Sequence, residues 1–535
     1  MPLSLLKIAF AVITAIESGW QQASIRVRER QRPADGNIST ILSNSSGYSM
    51  QRAESADHPA TVESDTPWSI EQHAIEPIPA AARHGSPKEL FHLWIGANMN
   101  YVVILTGALA VTQGLSFWGS ISAVLVGNLF GCLVVGLSSI LGPKTGTAAI
   151  ITSRPSFGQL GAVLPIAIST LAAIGWFSIN SIIATQSLAQ VFIMMGIPPV
   201  PAVGWISMLI VLAAEVTIAL YGHATIIATA NFIWLVLLVM FLGLLVCVLP
   251  HIDWTQAMIG RKPHEDGFST WLLVMGLIFS YPISWTNFAS DYSRYLPKTT
   301  PWRSIVRAAG GGQFVSLVFC EIIGVCLALA IGGDLSDPVA DLPKVVSSWF
   351  LVPFLLAVIV GAVATNVPNG YTAGLGLLAL RLPISRVTSM MVIAVSTLLF
   401  RVFTMMYGHA LDLYQQWLGY ILTWTCPWVA IVVLDYFMRD GDYDAVDLMQ
   451  WGRGRYWYSR GVCWPGIVAF MVGLGATFLF ANGDLYKSPL MVRYFNGTDL
   501  SFEAGLIMAG SVYYFLRRRS ASPVPEAARA PSTVS

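Results

Sequence analysis

The run Ser280-Tyr281-Pro282-Ile283-Ser284-Trp285-Thr286-Asn287-Phe288-Ala289 sits in an apolar stretch, 269–290, that is long enough to cross a bilayer. About 20 predominantly apolar residues suffice for that as a helix. A proline and several hydroxyls cut against a continuous helix here, because proline removes a backbone donor and clashes with the carbonyl four residues earlier. The interruption reads either as a plain proline kink or as a broken helix whose backbone and side chains face a cavity. Gly96-Ala97-Asn98-Met99-Asn100 poses the same question in another apolar stretch, 92–112. Small-residue helix packing accounts for Gly96 and Ala97 equally well. Counted along the chain, the two interruptions fall in the first and sixth spans. An inverted five-plus-five repeat places its two broken helices there, with a ligand held between them.

Composition agrees with a membrane protein. Of 535 residues, 30 are Lys or Arg and 29 are Asp or Glu, so 11% are charged, where a soluble domain carries about 25%. With 55% hydrophobic residues and a mean hydropathy of +0.63, too few charges remain to cover a water-soluble surface. Soluble enzymes and disordered proteins are excluded, and a net charge of +1 provides no basic field for nucleic acid. The six cysteines fall in apolar stretches without a CxxC pair or a His cluster, and read as buried apolar side chains.

The fold class expected is an all-α integral membrane protein with about 12 transmembrane helices, at 92–112, 117–141, 162–194, 202–220, 225–250, 269–290, 308–332, 346–379, 387–408, 416–438, 461–481 and 501–516. The third and eighth are too long for a perpendicular helix and call for tilt or a break. Residues 1–91 form a mostly disordered tail, 92–250 and 269–438 two five-span repeats, 461–516 two accessory spans, and 517–535 a second tail. Leu3 to Ile16 superficially resembles a signal-peptide core, but no clear small-residue cleavage site follows, so it is read as uncleaved. Cytoplasmic loops hold excess Lys and Arg. Eighteen such residues, from Arg83 and Lys88 through the even-numbered loops to Arg517, Arg518, Arg519 and Arg529, fall on one side. Five (Arg261, Lys262, Lys344, Lys487 and Arg493) fall on the other. Both termini are thereby expected in the cytoplasm and the chain in a cell or inner membrane.

Polar side chains inside a span are costly and mark sites by default. Trp176 and Asn180 are four residues apart, hence on one helical face. Ser284 and Trp285 flank the second interruption, Asn98 and Gly96 the first, and Asn366, Pro368 and Asn369 lie deep in the eighth span. Two indole faces and several amides suit a neutral planar heteroaromatic ring: stacking is worth about 1–3 kcal/mol per base, and amides match a donor beside an acceptor on its edge. Among the intramembrane charges, Glu215, Glu321 and Arg401 are candidates for proton handling, Glu321 foremost because it lies deepest. Asp291 and Asp435, near a boundary, are expected to pair structurally with loop arginines. No HExxH helix, GxSxG elbow or cluster of metal ligands supports a membrane enzyme. A receptor or structural protein is disfavoured by the paired interruptions.

Ser290-Asp291-Tyr292-Ser293-Arg294-Tyr295-Leu296-Pro297 resembles a signature of the nucleobase-cation symporter family that includes cytosine and purine permeases. So do Gly142-Pro143-Lys144-Thr145-Gly146 with Ser153-Arg154-Pro155-Ser156-Phe157-Gly158, and Pro427-Trp428 followed by Asp435-Tyr436-Phe437. The resemblance spans roughly residues 85–520. It implies the inverted-repeat fold of leucine-type sodium symporters, alternating access, and uptake of a nucleobase with a proton or Na⁺ and no other cofactor. It also implies that Trp176 and Trp285 are stacking tryptophans, Asn180 their polar partner, and Asn369 the amide that reads the ring edge. Asn180 with Asn366-Val367-Pro368-Asn369 resembles the purine and cytosine branch; carriers of allantoin, uracil, hydantoin or a vitamin pyrimidine are the alternative. Two departures stand out: Gly96 occupies a position where related permeases can have serine, and Thr365 follows Ala364 where sodium-coupled members resemble each other in a hydroxyl pair. A hard cation wants several oxygens, so the expectation favours a proton.

Overall fold

The computed structural model describes residues 75–520 apart from 220–222, 261–266, 334, 336, 381–384, 408–409, 484–485 and 496. Most of the expected N-terminal tail, the end of the C-terminal one, and the loop cations Arg261, Lys262 and Arg381 lie outside the described residues.

The first long helix, α1 (Pro87–Asn98), begins earlier than the apolar run suggests, because Ser86 and Glu89 form a reciprocal cap. The Ser86 hydroxyl accepts from the Glu89 N–H at 3.3 Å and the Glu89 carboxylate accepts from the Ser86 N–H at 3.2 Å. Residues before it also belong to the packed body. Ile78 is buried, and Arg83 donates to the carbonyls of Ile78 at 2.8 Å and Pro143 at 3.0 Å.

Asn98 to Asn100 break the first span. Asn100 is extended (φ −143°, ψ 161°), and its side chain accepts from the Val103 N–H at 3.2 Å, which starts α2 (Tyr101–Thr112). The two halves diverge by 64°. The other break follows α7 (Gly267–Ser284), which contains Pro282 and gives way to a 3₁₀ turn at Trp285–Asn287. Hydroxyls take up the carbonyls disturbed there: Ser284 Oγ donates to Tyr281 O at 2.7 Å and Thr286 Oγ1 to Ile283 O at 2.6 Å.

The remaining long helices are α3 (Phe117–Ser139), α4 (Val163–Met194), α5 (Pro201–Ala219), α6 (His223–Val248), α8 (Trp302–Ala330), α9 (Ser348–Ala379), α10 (Arg386–Tyr407), α11 (Ala410–Met438), α12 (Trp464–Leu479) and α13 (Ser501–Ser520). Among the described residues nine helices are long and apolar enough to span, ten with the bent α1–α2 pair counted once. The two expected accessory spans fall short of that test. The 16 residues of α12 cover about 24 Å at 1.5 Å per residue, less than the roughly 30 Å hydrocarbon core. Glu503 in the first turn and Arg517, Arg518 and Arg519 in the last charge the two ends of α13. These two helices pack on each other and on α11.

Helix α4 lies along α9, while α8 packs on α1, α2 and α3. The α2–α8 crossing is tight: a Cβ on Gly107 would lie 2.0 Å from Glu321 O, and one on Gly324 1.8 Å from Ile104 O. Glycine is required at both positions because backbone meets backbone.

One end of the bundle is sealed by buried polar contacts. Asp291 accepts from the Ala149 N–H at 2.7 Å and the Thr372 hydroxyl at 2.5 Å, and Arg294 donates to the Tyr371 hydroxyl at 2.7 Å. Arg154 donates to Leu448 O at 2.7 Å. Asp435 pairs with Arg439 at 2.7 Å and accepts from Tyr513 at 2.5 Å.

Candidate substrate site

Trp176, Asn180, Tyr281, Ser284, Trp285, Phe288, Thr365 and Asn369 converge where α4 and α9 meet the break after α7. No space for a water-sized sphere is left between them, and none carries a formal charge. The tryptophans are held edge-on by other rings. Trp285 meets Trp94 at 5.4 Å and 78°, and Trp176 meets Tyr281 at 5.2 Å and 71°. Such near-perpendicular ring contacts hold each indole in a fixed orientation.

The polar atoms are unevenly satisfied. Asn180 Nδ2 donates to Trp176 O at 2.9 Å, but among the described residues Asn180 Oδ1 and Trp176 Nε1 have no partner. Leaving such a buried group unpaired costs about 1–3 kcal/mol. A ligand that donates to the amide and accepts from the indole would recover it. Asn369 Nδ2 donates to Asn366 Oδ1 at 3.2 Å.

Other expected residues take supporting places. Asn366 does not line the space; its amide nitrogen donates to Phe177 O at 2.8 Å, Ser181 Oγ at 3.0 Å and Glu215 Oε1 at 2.8 Å. Pro368 and Gly96 are buried within α9 and α1 and do not line the space either. Asn98 donates to Trp94 O at 2.8 Å and is fully buried. Thr365 Oγ1 lies 3.2 Å from Ala97 O at the α1 break and 3.0 Å from Gly361 O. Glu321 sits against α3, accepting from Asn128 Nδ2 at 2.5 Å, and no hydrogen bond of the described residues ties it to the convergent set. Glu215 is tied to it: its other oxygen accepts from Ser181 at 2.5 Å, and Asn366 links it to Asn369.

Tyr281 and Phe288 line the site and Trp94 braces Trp285, though the sequence singled out none of the three. For Tyr281 a hint existed, since it precedes Pro282 and stands four residues before Trp285. Its hydroxyl accepts from Asn100 Nδ2 at 3.2 Å, which joins the two breaks. Among the described residues no group of three or more His, Cys, Asp or Glu could hold a metal ion.

A second cavity of about 300 Å³ lies between α2, α4, α10, α11 and the loop after α8. Its floor is Tyr414, which bonds Thr106 at 2.6 Å and meets Trp176 edge-on at 6.1 Å. It occupies the end of the bundle opposite the sealed one, since α4 runs from the sealed end at Val163 to this end beyond Gln186.

An all-helical bundle with a broken first span and an uncharged aromatic-and-amide centre defines a multi-pass membrane transporter rather than an enzyme. The structure matches that of Mhp1, a nucleobase-cation-symport-1 family transporter in a closed conformation with bromovinylhydantoin bound, at a TM-score of 0.68 and 20% identity over 85% of this chain and 97% of that one. It also matches a Na⁺-coupled sialic acid symporter at a TM-score of 0.51 and 12% identity, over 82% and 91% of the two chains. These likenesses establish the fold, that of the leucine-transporter type. Residues 77–504 match the family model for permeases of cytosine/purines, uracil, thiamine and allantoin, and the chain belongs to that family. Among its relatives are the putative purine-cytosine permease YxlA of Bacillus subtilis, 26% identical over 84% of this chain and 96% of that protein, and the purine-cytosine permease FCY2 of Saccharomyces cerevisiae, 26% identical over 79% and 81%.

Proposed function

We propose that the chain imports a nucleobase, cytosine or a purine, by proton symport through alternating access, with 92–250 and 269–438 as the two repeats and both termini in the cytoplasm. The observation that carries the reading is the uncharged site: two braced indoles and two amides, with an unpaired acceptor on Asn180 and an unpaired donor on Trp176. A neutral planar ring offers faces for the indoles and a mixed donor–acceptor edge for the amides. The names borne by YxlA and FCY2 point to the same cargo.

For coupling, Glu215 is the group we assign to the proton, because Asn366 connects it to the ring-reading Asn369. Sodium is disfavoured by the donor set. The Ala97 carbonyl at the first break already faces the Thr365 hydroxyl, and Ala364 offers no second one. The test is uptake of labelled cytosine and adenine with pH and Na⁺ varied independently, in competition with unlabelled uracil, allantoin, hydantoin and thiamine. Uptake that follows pH and is competed weakly or not at all by those four rings supports the reading. Dependence on Na⁺ at fixed pH overturns the coupling, and stronger competition by another ring overturns the cargo.

A further inference from the structure

We propose that the 300 Å³ cavity above Tyr414 is a second binding station, selective for rings that present a carbonyl beside an unprotonated ring nitrogen, with Arg401 as the residue that reads those two acceptors. The proposal rests on the nucleobase reading and extends it to a site outside the central one. At about 300 Å³ the cavity is at the lower end of small-molecule pockets, roughly 300–1,000 Å³. Its walls are apolar, Val102, Ile179 and Ile182 among them, and its few polar groups are Gln186, Asp337, Arg401, Thr404 and the Tyr414 hydroxyl.

Arg401 is half-buried, and among the described residues no carboxylate lies within the 4.0 Å of an ion pair. The acid across the cavity, Asp337, spends one oxygen on the N–H groups of Val339 at 3.0 Å and Ala340 at 2.9 Å. Buried Gln186 Oε1 likewise has no partner among the described residues. The guanidinium therefore offers a planar fork of donors, while Gln186 and Asp337 offer acceptors. The opposite formal charges cancel, so a neutral ligand carrying both acceptors and N–H donors fits better than an anion. A guanidinium fork matches two adjacent acceptors in bidentate fashion. Cytosine presents that pair through its carbonyl and neighbouring ring nitrogen. Adenine, having no carbonyl, does not. Because Tyr414 closes the floor and touches Trp176, a ring held here is one aromatic side chain away from the central site.

The experiment is equilibrium binding of labelled cytosine and adenine to the purified full-length protein in lipid nanodiscs, counting equivalents. The wild type is expected to bind two equivalents of cytosine, the weaker one absent for adenine. Asn369→Ala removes the central equivalent and leaves the outer one. Arg401→Gln weakens the outer equivalent about 10-fold or more while the central one persists, which also shows that the variant is folded; Arg401→Lys, charged but without the fork, does not restore it. A single cytosine equivalent in the wild type, abolished by Asn369→Ala, overturns the outer station and leaves the central reading intact. An outer equivalent indifferent to Arg401→Gln overturns the role of Arg401. Failure of the wild type to bind either base removes the nucleobase reading and this one with it.

Discussion

In the proposed site Trp285 and Asn369 act on different parts of a ring, and their loss should be felt differently. Replacing Trp285 by alanine removes a stacking face, worth about 1–3 kcal/mol. It also unseats Trp94, whose ring meets Trp285 edge-on. The half-saturation concentration for cytosine uptake is expected to rise about 10-fold or more for every ring tested. Asn369→Ala leaves the ring edge unread and should discriminate, with a larger loss for rings whose donors and acceptors match an amide than for those that do not; an equal loss for all rings would remove its assigned role. Glu215→Gln is nearly isosteric. Its amide oxygen can still accept from Asn366, as Glu215 Oε1 does at 2.8 Å, while its NH2 donates to the Ser181 hydroxyl that now donates to Glu215 Oε2 at 2.5 Å, but it no longer takes up a proton. Cytosine binding should persist while uptake loses both its pH dependence and its ability to concentrate cargo, measured as accumulation against an imposed proton gradient. Undiminished accumulation would clear Glu215 of coupling. Trp176 and Asn180 were visible in the sequence because four-residue spacing on a helix is local. The tie from Glu215 through Asn366 to Asn369 was not, since it exists only once α5, α4 and α9 pack side by side.

At the level of whole helices, the two breaks were readable for a physical reason: Asn100, Pro282 and the hydroxyls around it are poor continuations of a helix in lipid. What punctuation could not show is how the broken pieces are held. The Asn100 amide that caps α2 also reaches the Tyr281 hydroxyl just before the other break, so one residue both starts a helix and joins the two interruptions. The ends of α12 and α13 were equally hard to read, because a short apolar helix and a charge-tipped one look like spans to a composition window. The α2–α8 crossing supplies a test of packing. Gly324→Ala puts a methyl where Ile104 O lies 1.8 Å away, and the two helices must separate. Overpacking of this kind costs about 1–3 kcal/mol, so thermal unfolding in detergent should occur at a clearly lower temperature. Gly204→Ala, where a Cβ meets nothing within 4 Å, should leave the transition unchanged. Equal melting of the two variants would mean that α2 and α8 are not locked together.

The bundle as a whole is asymmetric along its axis. At one end Asp291, Arg294, Arg154 and the Asp435–Arg439 pair are buried and bonded; at the other a cavity of about 300 Å³ reaches down to Tyr414. A carrier of the proposed alternating kind must exchange these two conditions, and on the proposed orientation, with both termini in the cytoplasm, the sealed end is the cytoplasmic one and the cavity faces outward. Single cysteines test this directly. Five of the native cysteines are buried, so a Cys247→Ser background should be silent to a membrane-impermeant thiol reagent. In intact cells Thr404→Cys, on the cavity wall, should label readily. Thr299→Cys, exposed on the loop that follows the second break, should label only after the membrane is opened. Saturating cytosine should slow the reaction at Thr404→Cys, because a ring in the cavity blocks the approach, and leave Thr299→Cys unaffected. The reverse pattern, Thr299→Cys reactive from outside and Thr404→Cys protected, would invert the topology and turn the proposed importer's open face toward the cytoplasm.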